Sequence, residues 1–229
     1  MKYFEVTASC LLKKDIYFNE SSSFISQKIN KSMLYDEELS KVHEKYKYKF
    51  YTFKSFYPIE KDKLYKKGKV YLFTIRSISE EFSGRIEKCL IELKDDEIEV
   101  LSVQKKELNY KGQLEFKTIT PVFITIDGKP WKPQENGLEV FIERIQNNLL
   151  KKYRDIYSLE PLINGYFIER FSIDEKPCAL KYKNIKLIGY KVKFKIYDDE
   201  ESKKLACIAL GAGLGEKNSS IGGGYCEVV

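Results

Sequence analysis

The stretch Val70-Tyr-Leu-Phe-Thr-Ile75, followed by Ser79 and then by Phe82, Ile86, Leu90 and Leu93, decides the fold. The apolar run is too short for a helix and predicts a strand over 69–78. Ser79 offers a side-chain oxygen to the free N–H groups of a helix start. Apolar residues three and four apart then place one helical face against a core. Asp95-Asp96 turns the chain into a further strand over 97–107. Upstream, residues 2–13 read as a strand and Asn19-Glu-Ser-Ser-Ser23 as a turn and helix cap. The spacing of Phe24, Ile25, Ile29 and Met33 is helical, and Asp36 opens a second short helix to about Glu44. A strand over 47–54 completes the order β-α-β-β-α-β, the split βαβ or ferredoxin-like unit.

The second half nearly repeats that order. A strand is predicted from Phe116 to Asp127, a turn at Asp127-Gly128, and a bend at Lys129-Pro-Trp-Lys-Pro133. A long helix follows over about Glu135 to Tyr157, its stripe formed by Leu138, Phe141, Ile142, Ile145, Leu149 and Leu150. Strands over 165–174, 178–183 and 185–197, a helix from Glu201 and a last strand from Tyr225 close the half. The expected class is α+β: two tandem ferredoxin-like (RRM-like) domains with antiparallel sheets, residues 1–115 and 116–229.

Composition narrows the chemistry. The 229 residues carry a net charge of +6, mostly from lysine, which favours anionic partners. No apolar run approaches the ~18 residues needed to span a bilayer, and the N-terminus reads as a strand, with no leader. Five scattered cysteines, none spaced CxxC, and a single histidine argue against a zinc site and a disulfide framework. A reduced, cytoplasmic protein is expected. The acidic clusters Asp95-Asp96 and Asp198-Asp199-Glu200-Glu201 read as turn and cap charges, so neither a metal nor another cofactor is expected.

Two segments stand out as candidates for contact with a polyanion. Lys45-Tyr-Lys47-Tyr48-Lys49-Phe50-Tyr51-Thr-Phe53-Lys54 alternates cations with rings. One reading is a half-buried strand with its rings in the core. The other is a wet face whose lysines meet phosphates, and both hold if the lysine side faces the ligand. Near the C-terminus lies Gly211-Ala-Gly213-Leu-Gly215-Glu-Lys217-Asn218-Ser219-Ser220-Ile-Gly222-Gly223-Gly224-Tyr225. It reads either as a plain glycine-rich hairpin or as a nest of backbone N–H groups for anionic oxygens. Lys217, Asn218, Ser219 and Ser220 would add side-chain donors suited to a phosphodiester.

The chain resembles the CRISPR-associated repeat-processing endoribonucleases, the Cas-six family of the RAMP superfamily. The resemblance rests on Gly213-Leu-Gly215 and Gly222-Gly223-Gly224, which look like the family's G-h-G-x5-G-h-G signature. It also rests on Thr120-Pro121-Val-Phe-Ile124, on His43-Glu-Lys-Tyr-Lys-Tyr-Lys49-Phe-Tyr-Thr52-Phe53, and on the tandem ferredoxin-like order. Here six residues, not five, separate the glycine triplets, and Gly223 stands where a hydrophobic residue is expected.

The resemblance implies a metal-independent cut within the CRISPR repeat of a precursor RNA. The ribose 2′-hydroxyl would attack its own phosphate, giving a 2′,3′-cyclic phosphate and a 5′-hydroxyl. Such a reaction needs a base, an acid and a cation for the crowded phosphorane, but no bound water. His43, the single histidine, is the candidate acid or base. Lys49 matches the family's catalytic lysine, and Tyr35 is the candidate partner hydroxyl, with Tyr46 and Lys31 as substitutes. RNA contacts are expected from Lys31, Lys45, Lys47, Gly213, Gly215, Lys217, Asn218, Ser219, Ser220, Gly222 and Gly224, extended by Lys28. Arg76 could instead pair with a carboxylate. The expected partner is CRISPR repeat RNA, together with further effector subunits in one variant of the reading. A monomer and a homodimer stay open, as do a non-catalytic RAMP-type RNA-binding subunit and a generic RRM-like protein.

Overall fold

Along β1 (Lys2–Leu12), Phe4, Val6, Ala8, Cys10 and Leu12 are buried, while Glu5, Thr7, Ser9 and Leu11 are only half-buried. That is the period-two pattern of a strand with one face in a core. The structure, a computed structural model, describes residues 1–44, 49–163, 165–183 and 185–229. After β1 come β2 (Ile16–Tyr17), α1 (Phe18–Met33), α2 (Glu37–Glu44), β3 (Tyr51–Tyr57), β4 (Leu64–Tyr65), β5 (Val70–Ser77), α3 (Glu80–Ile91) and β6 (Ile98–Asn109). The four long strands form one antiparallel sheet in the order β3-β5-β1-β6. Ile25, Ile29 and Met33 of α1 and Phe82, Ile86 and Leu90 of α3 fill the core beneath it.

Local chemistry accounts for most boundaries. Ser79 caps α3 as its position predicts, accepting from the Phe82 N–H at 3.1 Å. The Asp36 carboxylate accepts from the Leu39 N–H at 3.0 Å and so opens α2. The serine run Ser21–Ser23, expected as a cap, lies inside α1, which starts at Phe18. The Ser21 hydroxyl back-bonds to the Phe18 carbonyl at 2.6 Å and meets the Ser55 hydroxyl at 2.6 Å. A serine satisfied in this way can be buried within a helix.

The second half contains β7 (Glu115–Thr118), β8 (Thr125–Ile126), β9 (Lys129–Pro130), α4 (Pro133–Tyr157), β10 (Ile168–Ile173), β11 (Cys178–Tyr182), β12 (Ile185–Gly189), β13 (Val192–Ile196), α5 (Glu200–Ala212), α6 (Asn218–Ile221) and β14 (Cys226–Val228). Its sheet runs β10-β13-β7-β14, so each four-stranded sheet places its second, third, first and fourth strands in chain order side by side. The fold is therefore the tandem ferredoxin-like arrangement, with β11 and β12 added as a separate hairpin packed on α1. The continuous strand expected over 116–127 is broken instead. Pro121 lacks an N–H for a ladder, and the Pro121 and Phe123 carbonyls accept from Gly224 and Glu216 of the glycine-rich segment.

Arg76 of the first sheet reaches across to the second. The Arg76 guanidinium donates to Glu5 at 2.8 Å and to the Cys226 carbonyl at 2.8 Å, and lies 4.4 Å from the centre of the Tyr225 ring. Its pairing with a carboxylate is one of the outcomes its place on an apolar strand allows. Among the described residues, no helix is long and apolar enough to cross a membrane.

Candidate functional site

Between the two halves opens a cleft of about 640 Å³. Lys49 and Phe50 enter it from the segment before β3, and Glu216 to Ser220 from the glycine-rich loop. Asn148, Lys152 and Asp155 enter it from α4. Phe50 has φ 46°, an unusual conformation for a bulky residue. Its carbonyl accepts from the Ser77 hydroxyl at 2.8 Å, which holds the turn against β5. Lys49, just before this turn, is partly buried, and desolvation pushes its ammonium below the usual lysine range.

The loop is shaped by contacts on both sides. α5 ends at Gly213 with φ 78°, and Gly215, Gly222 and Gly224 also have positive φ. A side chain at Gly224 would stand 2.0 Å from the Leu214 carbonyl oxygen, and one at Gly222 would stand 2.2 Å from that of Phe53. The glycines thus let backbone approach backbone. Leu214 donates to the Gly224 carbonyl at 2.9 Å, and the Thr120 hydroxyl donates to the Gly222 carbonyl at 2.6 Å. The Thr52 hydroxyl donates to the Gly223 carbonyl at 3.1 Å, and Glu216 accepts from both the N–H and the hydroxyl of Thr125.

Three backbone donors of the expected nest are used within the fold. The N–H groups of Gly213, Gly222 and Gly224 donate to Ala209, Asn218 and Pro121 within the fold, and none of these three glycines lines the cleft. Asn218 lines the cleft but is also used within the fold. Its side chain is buried, with Nδ2 donating to the Leu214 carbonyl at 2.9 Å and to the Gly223 carbonyl at 2.8 Å. Gly215, Lys217, Ser219 and Ser220 line the cleft too, and Lys217 is exposed.

The N-terminal candidates divide. Lys49 faces the loop across the cleft. His43 belongs to α2, but its side chain, like the whole of Lys45, Tyr46 and Lys47, lies outside the described residues. Tyr35, 49 % exposed in the turn after α1, does not line the cleft. Neither does Lys31, which pairs with Asp95 at 2.9 Å. Lys28 is buried between Asp95 and Glu97 at 2.7 and 2.6 Å. The carboxylate of Asp95 is held well below its usual range: burial opposes this, but Lys28, Lys31 and the N–H groups of Glu97 and Ile98 outweigh it. Among the described residues, no group of three His, Cys, Asp or Glu side chains could hold a metal ion.

The sequence reading missed Lys152. It is 1 % exposed, and its ammonium donates to the carbonyls of Ala212 and Gly213 at 3.1 and 2.8 Å and to Asn218 Oδ1 at 2.8 Å. Burial pushes it down to about 7. Its position three residues after Leu149 carries the signal, because a cation there continues the buried stripe of α4.

Residues 102–228, more than half of the chain, match the family model for the C-terminal part of CRISPR associated protein Cas6. The chain belongs to the Cas6 family. A curated relative, CRISPR-associated endoribonuclease Cas6 2 of Methanocaldococcus jannaschii, is 28 % identical over 95 % of this chain and 96 % of its own length. Two solved structures share this chain's fold along 99 % of both chains. One, described as CRISPR associated protein Cas6, superposes with a TM-score of 0.74 at 22 % identity. The other, described as an RAMP protein binding different RNA substrates, superposes with a TM-score of 0.74 at 18 % identity.

Proposed function

We propose that this Cas6-family chain is an endoribonuclease that cuts CRISPR precursor RNA within the repeat to make guide RNAs. The observation that carries the reading is the meeting of Lys49 with Lys217, Ser219 and Ser220 around one cleft. The curated relative named as an endoribonuclease over nearly the whole chain supports it.

The cut proceeds without a metal. The ribose 2′-hydroxyl upstream of the scissile phosphate attacks phosphorus, the bond to the 5′-oxygen breaks, and a 2′,3′-cyclic phosphate and a 5′-hydroxyl remain. The nucleophile is already tethered to its target, so positioning and charge stabilisation supply most of the acceleration. Lys49 stabilises the charge on the phosphorane. His43 moves a proton to or from the reacting oxygens, and six covalent steps keep its Cα within about 22 Å of that of Lys49. Lys217 and the hydroxyls of Ser219 and Ser220 bind phosphate and ribose oxygens. Residues 1–115 form the domain with the proton-transfer candidates and 116–229 the domain with the loop. The protein works in the cytoplasm, where the transcript is made.

The test is incubation with the cognate repeat RNA in EDTA, followed by analysis of the cut position and end groups. A single cut leaving a cyclic phosphate is expected, and a requirement for added divalent metal would overturn the mechanism. His43→Ala is expected to lower cleavage by orders of magnitude while RNA affinity holds. RNA binding by the wild type without any cleavage would instead make the chain a non-catalytic RNA-binding subunit.

A further inference from the structure

We propose that Lys152 is a positioning residue that sets the conformation of the loop facing the RNA, an inference that rests on the reading just given. Lys152 continues the stripe of Phe141, Ile145 and Leu149 on α4, where an apolar side chain would serve the core. A buried ammonium is costly unless its donors are used and its charge is compensated. Three acceptors of its ammonium belong to the loop or its root. The carbonyls of Ala212 and Gly213 stand at the end of α5, where a helix leaves carbonyls unbonded and the helix dipole is negative. A cation from a different helix therefore caps α5.

The third acceptor is Asn218 Oδ1. Both donors of Asn218 Nδ2 go to backbone carbonyls, so the oxygen of Asn218 faces Lys152 and accepts from it. That nitrogen ties the Leu214 carbonyl to the Gly223 carbonyl, one on each flank of the loop. Gly213 makes room for the amide, since a side chain there would stand 2.6 Å from Asn218 Nδ2. Both flanks are thereby pinned, and the residues between them carry Lys217, Ser219 and Ser220 into the cleft. Lys152 acts through these residues, because it is too buried to be a main contact for RNA itself.

The experiment combines Lys152→Met with Lys217→Ala. In the absence of RNA, Lys152→Met is expected to speed amide hydrogen exchange over residues 213–223 at least tenfold, with β1 and β5 unchanged. Affinity is read with the cognate repeat RNA carrying a 2′-deoxyribose at the cut. Each single change should weaken binding, and the double variant should bind no more weakly than Lys152→Met alone, because a displaced Lys217 has nothing left to lose. Additive losses, as expected of a merely structural lysine, would overturn the proposal, and so would unchanged exchange in the loop. If Lys152→Met does not fold, Lys152→Gln, which keeps a donor for one carbonyl, reads the same two quantities. The exchange measurement needs no RNA, so it decides the loop's dependence on Lys152 even if the wild type fails to cut. If the wild type cuts and no coupling is found, the positioning role alone fails.

Discussion

The Thr52 hydroxyl donates to the Gly223 carbonyl, so the strand that follows Lys49 and the loop that carries Lys217 share a hydrogen bond. Thr52 is fully buried, and Gly223 also receives the Asn218 amide. Thr52→Val removes the donor but leaves the carbonyl one partner, so the change should lower stability by about 1 kcal/mol. Urea unfolding should show a lower midpoint at an unchanged slope. An unshifted midpoint would mean that this bond contributes nothing to holding the loop against β3.

Gly224 and Gly68 both have positive φ, but only Gly224 is crowded. A side chain at Gly68 meets nothing within 4 Å, whereas one at Gly224 meets the Leu214 carbonyl oxygen at 2.0 Å. Gly68→Ala should cost about 1 kcal/mol, the backbone strain alone. Gly224→Ala should cost about 3 kcal/mol or more, because the loop must also move. Similar thermal shifts for the two would show that the close approach at Gly224 is dispensable.

Lys49 can stabilise a phosphorane only while protonated, and burial lowers the pH at which it loses its proton. Single-turnover cleavage should therefore decline as pH rises, at a pH below that of an ordinary lysine. Lys49→Arg keeps its charge throughout and should lose this alkaline decline, whereas Lys49→Ala should be slow at every pH. A decline that survives in Lys49→Arg would assign it to another group.

Arg76, which is buried, pairs with the half-buried Glu5 where the two sheets meet. Glu5→Leu strands the guanidinium and should lower stability by about 2–3 kcal/mol. Adding Arg76→Met should recover part of that loss, since an apolar pair needs no compensating charge. Chemical denaturation of the two single variants and the double variant measures the coupling, and strict additivity would mean the ions do not depend on each other.

The framework of the fold was open to reading because its signals are local. The alternation along β1, the Ser79 cap and the spacing of Phe82, Ile86 and Leu90 each act within a few residues. The breaks that sequence reading missed have distant causes. The strand expected through Thr120 and Pro121 yields to the glycine-rich loop about a hundred residues later, which takes the backbone bonds a neighbouring strand would have used. Ser21, inside α1, meets the distant Ser55 hydroxyl, a partner that no local pattern announces.

The site divides in the same way. Lys217, Ser219 and Ser220 could be picked out because polar residues between glycine clusters have few uses inside a core. Asn218 looks like one of them, yet Lys152, far back in α4, holds its oxygen within the fold. A one-dimensional reading carries no trace of that partner except a cation on an apolar stripe. The sequence offers Lys31 to phosphate, whereas in the fold Asp95 pairs with it.

The loop is encoded in the last part of the chain, but much of the surface it is moulded on is β3, encoded near the beginning. A polypeptide severed near Glu115 would give a C-terminal fragment whose glycines keep their freedom and lose their template. The two fragments, mixed again, should recover a grip on RNA only by re-associating, so nuclease competence would depend on fragment concentration.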